Sequence, residues 1–223
     1  YEIGVRLVGS EMCIRDSVLA ELNGKESRKI ITLDEMSPYL PKAYIAIEDE
    51  RFYQHHGVDL KRTTAAILSF VTHFGKSTTG GGSTITQQLV KNITQDKESS
   101  GINGILRKVK EWAKAYQVEN ELSKNQILEL YLNTSYFGDG YYCVAEASRG
   151  YYKKEPKDMN RNEASMLAGI PNAPSAYCPT KHLDLAKKRQ NQVLDKMVRY
   201  EFITAKEKEE ILNESNAVED NKD

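Results

Sequence analysis

Helix start signals recur along this chain, whereas the alternation of apolar and polar residues that marks a half-buried strand is scarce. Ser37-Pro38 is typical of an N-cap followed by proline at the first helical position, and it opens a helix that runs to Asp49. Capping boxes at Ser123–Gln126 and Thr204–Glu207 open two more helices. These signals predict a mainly α fold.

Apolar periodicity adds further helical segments, and the predicted helices cover residues 39–49, 63–74, 105–122, 126–133, 144–152, 163–170, 183–200 and 204–212. In the segment 105–122 the periodic residues recur every three or four positions, which predicts an amphipathic helix; they are Leu106, Val109, Ala113 and Tyr116 or Gln117. Thr134–Tyr142 should be a loop, and Lys29–Leu33 is the best strand candidate. The polar residues from Asn213 onward should be frayed.

The charge of the chain is balanced as a whole and uneven along its length. A chain of 223 residues with a formal net charge of −1 fits one large domain, or one domain with a smaller lobe, and does not suggest nucleic-acid binding. Residues 107–114 nevertheless carry four bases and one acid. Such a local basic patch suits an anionic ligand. No run of eighteen apolar residues is present, so the chain as given contains no predicted membrane span.

The first residues look foreign to the fold. The chain begins without Met, and Val8–Ser17 resembles a translated sequencing-adapter read. We therefore divide the chain into a non-native segment over 1–17, a domain over 18–213 and a polar tail over 214–223. Of the remaining cysteines, Cys143 and Cys178 could form a disulfide, but two buried thiols are favoured. No Cys-x-x-Cys or His-rich spacing suggests a structural metal.

The run Gly80–Asn92 combines three glycines with hydroxyls, amides and a lysine. Glycines let the backbone approach a ligand closely, and the polar side chains supply donors for sugars or phosphates. The run is not a P-loop, because its lysine does not follow directly after the last glycine. The alternative is a glycine turn followed by a helix with Ser83 as N-cap, which leaves the amides and Lys91 unexplained.

Two glutamates are candidate catalytic groups. Glu48 follows the apolar stretch 44–47, where partial desolvation would raise the carboxyl pKa and suit proton transfer; alternatively it is an ordinary surface acid. Glu111 shares a helix face with Arg107 and Lys114, which is either a solvated salt-bridge row or a cationic site for an anion. Two carboxylates on different helices, beside a Gly-Ser-Thr-Gln segment, indicate sugar chemistry.

Five stretches, in this order, resemble the peptidoglycan glycosyltransferases, the family 51 enzymes that form the transglycosylase module of class A penicillin-binding proteins and of monofunctional transglycosylases. The stretches are Glu48-Asp49-x-x-Phe52-x-x-His55-x-Gly57, residues 81–92, Arg107-Lys108-x-x-Glu111, residues 127–133 and residues 168–175. The resemblance covers roughly residues 30–200. One such stretch alone is weak, whereas five in order are specific.

The resemblance implies a role for each matching residue. Glu48 would be the general base that deprotonates the 4-hydroxyl of the acceptor lipid II sugar. That oxygen would attack the anomeric carbon of the donor glycan chain with inversion, so that undecaprenyl pyrophosphate leaves. Glu111 would assist at the pyrophosphate, with a divalent cation, Mg²⁺ or Mn²⁺, as a candidate there and with no organic cofactor. The implied substrate-binding residues are Asp49, Phe52, His55, Ser83, Thr84, Gln87, Gln88, Lys91, Asn92, Arg107 and Lys108.

The resemblance also implies a fold and a location. The fold would be a lysozyme-like helical large lobe with a small membrane-facing lobe, and the apolar helix 63–74 would suit partial immersion, although it could equally be a plain core helix. The implied partners are lipid II, the growing glycan chain, the bacterial membrane and other cell-wall synthesis proteins, but not nucleic acid. The implied site of action is the extracytoplasmic face of the cell membrane, with the N-terminal anchor missing from this chain.

Some features depart from the family or leave alternatives open. Cys143 stands where many relatives carry Gly, and residues 151–154 replace the more usual Tyr-Phe-Gly-Lys. The chain lacks Ser-x-x-Lys and Lys-Thr-Gly, so it is either a monofunctional transglycosylase or a class A protein truncated after its first domain, and the polar end favours a natural terminus. A glycan hydrolase and a non-catalytic binding module are the rival functions.

Overall fold

The mainly helical prediction is confirmed by a computed structural model of the protein, which describes residues 6–8, 11–14, 17–21, 30–72, 82–94 and 101–220. Its α-helices are α1 (Tyr39–Glu48), α2 (Leu60–Thr72), α3 (Ile85–Thr94), α4 (Gly101–Glu121), α5 (Lys124–Thr134), α6 (Val144–Ala147), α7 (Arg161–Gly169), α8 (Leu183–Arg199), α9 (Ala205–Leu212) and α10 (Ala217–Asp220). Residues 73–74 of the predicted second helix lie outside the described residues.

A small antiparallel sheet precedes the helices. Its strands, β1 (Arg6–Val8), β2 (Glu11–Ile14) and β3 (Ser17–Glu21), pair in chain order, with a register irregularity between Met12 and Cys13. Strands β1 and β2 lie inside the segment 1–17 that the sequence sets apart.

The chain divides into two compact units. The first consists of Tyr1–Arg28 and Arg51–Tyr131 and contains α2, α3 and α4. The second consists of Lys29–Glu50 and Leu132–Asp223 and contains α1 and α6 to α10. The boundary falls within α5.

In the first unit, α3 packs against α4 and closes a small apolar core. The buried residues of this core are Ile85, Leu89, Val90, Ile93, Ala115, Val118 and Leu122. A turn at Gly57 lies directly against α4: a Cβ atom built there would be 2.7 Å from the backbone carbon and oxygen of Ala115. Gly57 also has φ +81°, so both the space and the backbone conformation favour glycine.

Helix α4 exposes the apolar stripe that its sequence periodicity predicts. Leu106, Val109 and Tyr116 are 54%, 54% and 57% exposed, and Ala113 is exposed as well. The same helix buries Glu111. An amphipathic helix ordinarily buries its apolar stripe. Here the buried face of α4 instead carries Glu111, Ala115 and Val118, and the helix packs against α3, so the stripe remains at the surface.

In the second unit, α1, α7 and α8 pack against one another. Tyr44 of α1 donates a hydrogen bond to the carbonyl of Leu167 at 3.3 Å and meets the ring of Phe137 edge-on. The chain from residue 214 is attached to this unit, because the Asn216 amide donates to Asn162 Oδ1 at 2.8 Å and Val218 is buried. The prediction of a frayed segment is therefore wrong for residues 214–220, and residues 221–223 lie outside the description.

Two local predictions near α1 are wrong. Residues 30–32 form no strand, because the backbone of Ile31 is bonded on both sides to the side-chain amide of Asn133, at 3.2 and 2.8 Å, and a 3-10 turn begins at Leu33. Lys29 lies outside the described residues. Ser37 does not cap α1 through its side chain: Pro38 occupies the N-cap position, and the Ser37 carbonyl accepts from Leu40 N.

Other local predictions are confirmed. The capping box Ser123–Gln126 precedes α5, and Thr204–Glu207 caps α9. The segment 144–152 is helical, with a π-helical turn after α6. Cys143 and Cys178 are buried free thiols.

Across the described ranges, no helix is long and apolar enough to cross a bilayer.

The contact at Gly57 predicts that alanine substitution destabilises the protein more at Gly57 than at Gly140. Gly57→Ala should destabilise the protein by about 2–4 kcal/mol, because positive φ strain adds to overpacking against α4. Gly140 has a similar φ of +84° but open space around it, so Gly140→Ala should cost only about 1 kcal/mol. Chemical denaturation measures both, and equal losses would refute the close contact with α4.

Candidate functional site

The predicted site residues are divided between the two units. Glu48 and Asp49 belong to the second unit, whereas the predicted residues from Phe52 to Glu111 belong to the first. The structure brings several of the latter together in the α3–α4 cluster, which consists of Ser83, Thr84, Gln87, Arg107, Lys108 and Glu111.

Glu48 is the last residue of α1. The helix ends there because Asp49 leaves the helical conformation, with φ −158° and ψ 74°. The preceding residues 43–46 are buried, so the Glu48 carboxylate lies at the edge of the apolar core, as the sequence predicts. Asp49 is itself fully buried, and its backbone N–H donates to the Ile45 carbonyl at 2.9 Å.

Arg189 of α8 forms a salt bridge with Glu48, with 3.4 Å between Nη2 and Oε1. The two side chains are 13% and 12% exposed, so the pair is largely withdrawn from water. The guanidinium also lies 5.8 Å from the ring centre of Tyr177 and donates to Gln192 at 3.0 Å. The sequence analysis missed Arg189, because it ends a run of three consecutive bases and nothing in the run distinguishes it.

Thr84, rather than Ser83, caps α3. Thr84 Oγ1 accepts from Gln87 N at 3.1 Å, and Gln87 Oε1 accepts from Thr84 N at 3.3 Å, which completes a capping box. Thr84 also donates to the Gly57 carbonyl at 2.6 Å. The alternative that makes Ser83 the N-cap is therefore wrong. Gly80 and Gly81 lie outside the described residues.

Lys108 lies at the centre of the α3–α4 cluster. Its ammonium donates to Ser83 Oγ at 2.8 Å, to Gln87 Oε1 at 3.4 Å and to Glu111 Oε1. These bonds join α4 to the beginning of α3 and to the residue that precedes its cap. The polar residues that surround Glu111 thus come from two helices.

Both oxygens of Glu111 are held by cations. Oε1 accepts from Lys108, and Oε2 accepts from Arg107 Nη1 at 3.1 Å. The Nε atom of Arg107 is buried and has no acceptor among the described residues. This arrangement is more than a solvated salt-bridge row, because Glu111 is buried and Arg107 retains donors for an anion.

The described residues offer little as a metal site of their own. Within those ranges no group of three or more His, Cys, Asp or Glu side chains could hold an ion. Glu111, the candidate metal ligand, already forms salt bridges with Arg107 and Lys108. The described residues therefore do not form a complete cation site by themselves.

Other predicted residues of the first unit have described partners of their own. Gln88 accepts from the Tyr131 hydroxyl at 3.1 Å. The Phe52 ring meets His55 edge-on and lies 4.6 Å from the Lys124 ammonium. Lys91 and Asn92 are exposed near the end of α3.

An ion pair secures the segment that carries Phe52 and His55. Arg51 pairs with the buried carboxylate of Asp59, which also accepts from Arg62 N at 3.0 Å. Burial raises the pKa of Asp59, but the hydrogen bond from Arg62 and the Arg51 guanidinium outweigh it and leave the pKa below its usual value. Asp59 therefore stays ionised at the start of α2.

Comparison with known proteins connects this geometry to a family. The sequence model of the family described as Transglycosylase matches residues 15–198. Penicillin-binding protein 1F of Bacillus subtilis (strain 168) is 44% identical over 184 residues, which cover 82% of this chain and 25% of that protein. Penicillin-binding protein 1A of Neisseria lactamica is 38% identical over 199 residues, which cover 89% of this chain and 24% of that protein.

A solved structure is also similar. The crystal structure of penicillin-binding protein 1A from Haemophilus influenzae matches with a TM-score of 0.49 and 21% identity, covering 89% of this chain and 19% of that one. The chain spans about a quarter of the length of the curated relatives it matches.

The capping geometry predicts unequal effects for adjacent hydroxyls. Thr84→Ala should destabilise the protein by about 2–3 kcal/mol, because it removes a helix cap and leaves the Gly57 carbonyl without its donor. Ser83→Ala should cost less than about 1 kcal/mol, since it removes only an acceptor of Lys108. Denaturation of both variants measures the difference, and a larger loss for Ser83→Ala would contradict the assignment of the cap.

Proposed function

Because the chain belongs to the transglycosylase family, we propose that it is a peptidoglycan glycosyltransferase, which polymerises lipid II into β-1,4-linked glycan strands for the bacterial cell wall. The single observation that carries the proposal is the α3–α4 cluster, in which a buried carboxylate lies between two cations. We assign the activity to residues 18–213 and leave 1–17 and 214–223 outside it.

A diphosphate leaving group would account for the two cations beside Glu111. Release of a lipid-linked diphosphate develops negative charge on its oxygens, and preorganised cations stabilise that charge directly. Arg107 and the exposed Lys91 are proposed to bind the diphosphate. A glycosidase instead needs a protonated acid at the departing oxygen, so cationic groups serve a transferase better.

Glu48 is proposed to be the base that supplies the nucleophile. Its carboxylate accepts the proton of the acceptor 4-hydroxyl as that oxygen bonds to the anomeric carbon of the donor chain. The bond from the anomeric carbon to the diphosphate oxygen breaks, undecaprenyl pyrophosphate departs with the electron pair, and the configuration inverts. Arg189 is proposed to orient Glu48, and the reaction needs no organic cofactor.

Two helices of the first unit support a location at the membrane. The exposed stripe of α4, formed by Leu106, Val109, Ala113 and Tyr116, is flanked by exposed Lys110 and Lys114. Helix α2 exposes Leu60 and Leu68. Apolar side chains beside lysines suit the interface of an anionic bilayer. We therefore propose contact with the extracytoplasmic face of the bacterial cell membrane and, through it, with other cell-wall synthesis proteins.

A substitution at the base tests the proposed reaction. Wild-type protein incubated with lipid II should produce glycan polymer and release undecaprenyl pyrophosphate. Glu48→Gln should lower the rate at least about a thousandfold, because it removes the proton acceptor. Glu50→Gln is the matched control and should retain activity. Shortening of preformed glycan would support a hydrolase instead. Unchanged polymerisation by Glu48→Gln would refute the assignment of Glu48 as the base.

Vesicle binding tests the proposed membrane surface. The double variant Leu106→Gln, Val109→Gln should bind anionic phosphatidylglycerol vesicles roughly tenfold more weakly than wild type, because less apolar area enters the interface. Leu212→Gln, which alters an exposed leucine of α9, is the control. Co-sedimentation measures the binding of both variants. Unchanged binding by the double variant would show that α4 does not contribute to membrane binding.

A further inference from the structure

Each of the three N–H donors of the Lys108 ammonium group has an acceptor within the protein. An ammonium group carries three N–H bonds and no acceptor. Those of Lys108 are directed to Ser83 Oγ, Gln87 Oε1 and Glu111 Oε1. A substrate oxygen could bind Lys108 only by displacing one of these partners. Arg107 differs, because one of its donors reaches Glu111 while its buried Nε has no described acceptor.

The bonds of Lys108 determine which way the Gln87 amide faces. Both partners of its oxygen, Thr84 N and Lys108 Nζ, are donors, so the oxygen must face them and the NH₂ group must face elsewhere. Gln87 is 1% exposed, and its Nε2 has no acceptor among the described residues. A buried donor without a partner is costly, and it points to an acceptor supplied by a ligand.

Ser83 is a second side chain that bonds Lys108. Its oxygen accepts from Lys108, which leaves the hydroxyl proton available for donation. One ammonium group thus directs the NH₂ group of Gln87 away from the shared bond and leaves Ser83 a proton to donate.

We propose that Lys108 is a positioning residue rather than a substrate ligand: it orients Ser83, Gln87 and Glu111 so that the first two donate to acceptor oxygens of the lipid-linked substrate. The inference rests on the proposed function and gives Lys108 a different role from the substrate-binding role that the sequence predicts. The acceptor oxygens belong either to the diphosphate or to an N-acetyl carbonyl of the sugar.

The variant Gln87→Glu separates donation from structural support. A glutamate at this position still accepts from Lys108 and from Thr84 N and keeps the capping box, so the protein should fold, with an unfolding midpoint modestly below that of wild type because a second carboxylate is buried beside Lys108. The side chain no longer donates, so the KM for lipid II should rise about tenfold or more. A stable variant with unchanged KM and kcat would overturn the proposal.

A second comparison separates positioning from direct binding. Lys108→Met should lower kcat, because Glu111 loses its orientation, and should also raise KM, because Gln87 loses its orientation, whereas Lys91→Met should raise KM with little change in kcat. Lys108→Arg should not restore kcat, because a planar guanidinium cannot reproduce three tetrahedral donors. A rise in KM alone for Lys108→Met, or full activity of Lys108→Arg, would overturn the proposal.

Equilibrium binding tests the roles of Lys108 and Gln87 independently of lipid II polymerisation. A wild-type protein that fails to polymerise lipid II counts against the function alone. Calorimetric titration with inorganic pyrophosphate and with N-acetylglucosamine should show about tenfold weaker binding of one of them by Gln87→Glu, and that ligand identifies the acceptor. Unchanged binding of both would overturn the role of Gln87 and Lys108.

Discussion

The bonds of the Lys108 ammonium are the interaction on which the α3–α4 cluster depends. They join Glu111, which α4 buries, to the cap of α3 and to Ser83 before it. Burying a carboxylate is unfavourable unless cations and hydrogen bonds accompany it, and here both oxygens have a cationic partner. Glu111 shares the buried face of α4 with the apolar residues Ala115 and Val118, while the stripe that contains Leu106 and Val109 is exposed.

The two candidate catalytic glutamates, one in each unit, have different surroundings, and the difference matches their proposed roles. Glu48 ends a helix over an apolar core and pairs with one arginine. Glu111 is held by two cations among polar side chains. A base must reach a substrate hydroxyl and accept its proton. A carboxylate that already binds two cations is better suited to ordering them around a diphosphate.

The sequence predicts most helices correctly, because capping boxes and periodicity act over a few residues. It fails where distant groups decide the outcome. Asn133 satisfies the backbone of Ile31 from 102 residues away, which removes the expected strand. Thr84 rather than Ser83 caps α3, a choice that the bond to Gly57 favours. The pairing of Arg189 with Glu48 joins helices far apart in sequence. Periodicity alone does not show which face of α4 packs against α3.

In our proposal, one cation of the α3–α4 region positions its neighbours and the others bind the substrate. Side-chain ¹⁵N nuclear magnetic resonance of the lysine ammonium groups distinguishes the two kinds. We expect a slowly exchanging Lys108 resonance that stays in place when inorganic pyrophosphate is added, while the Lys91 resonance shifts. A Lys108 resonance lost to rapid exchange, or one that shifts together with that of Lys91, would contradict it.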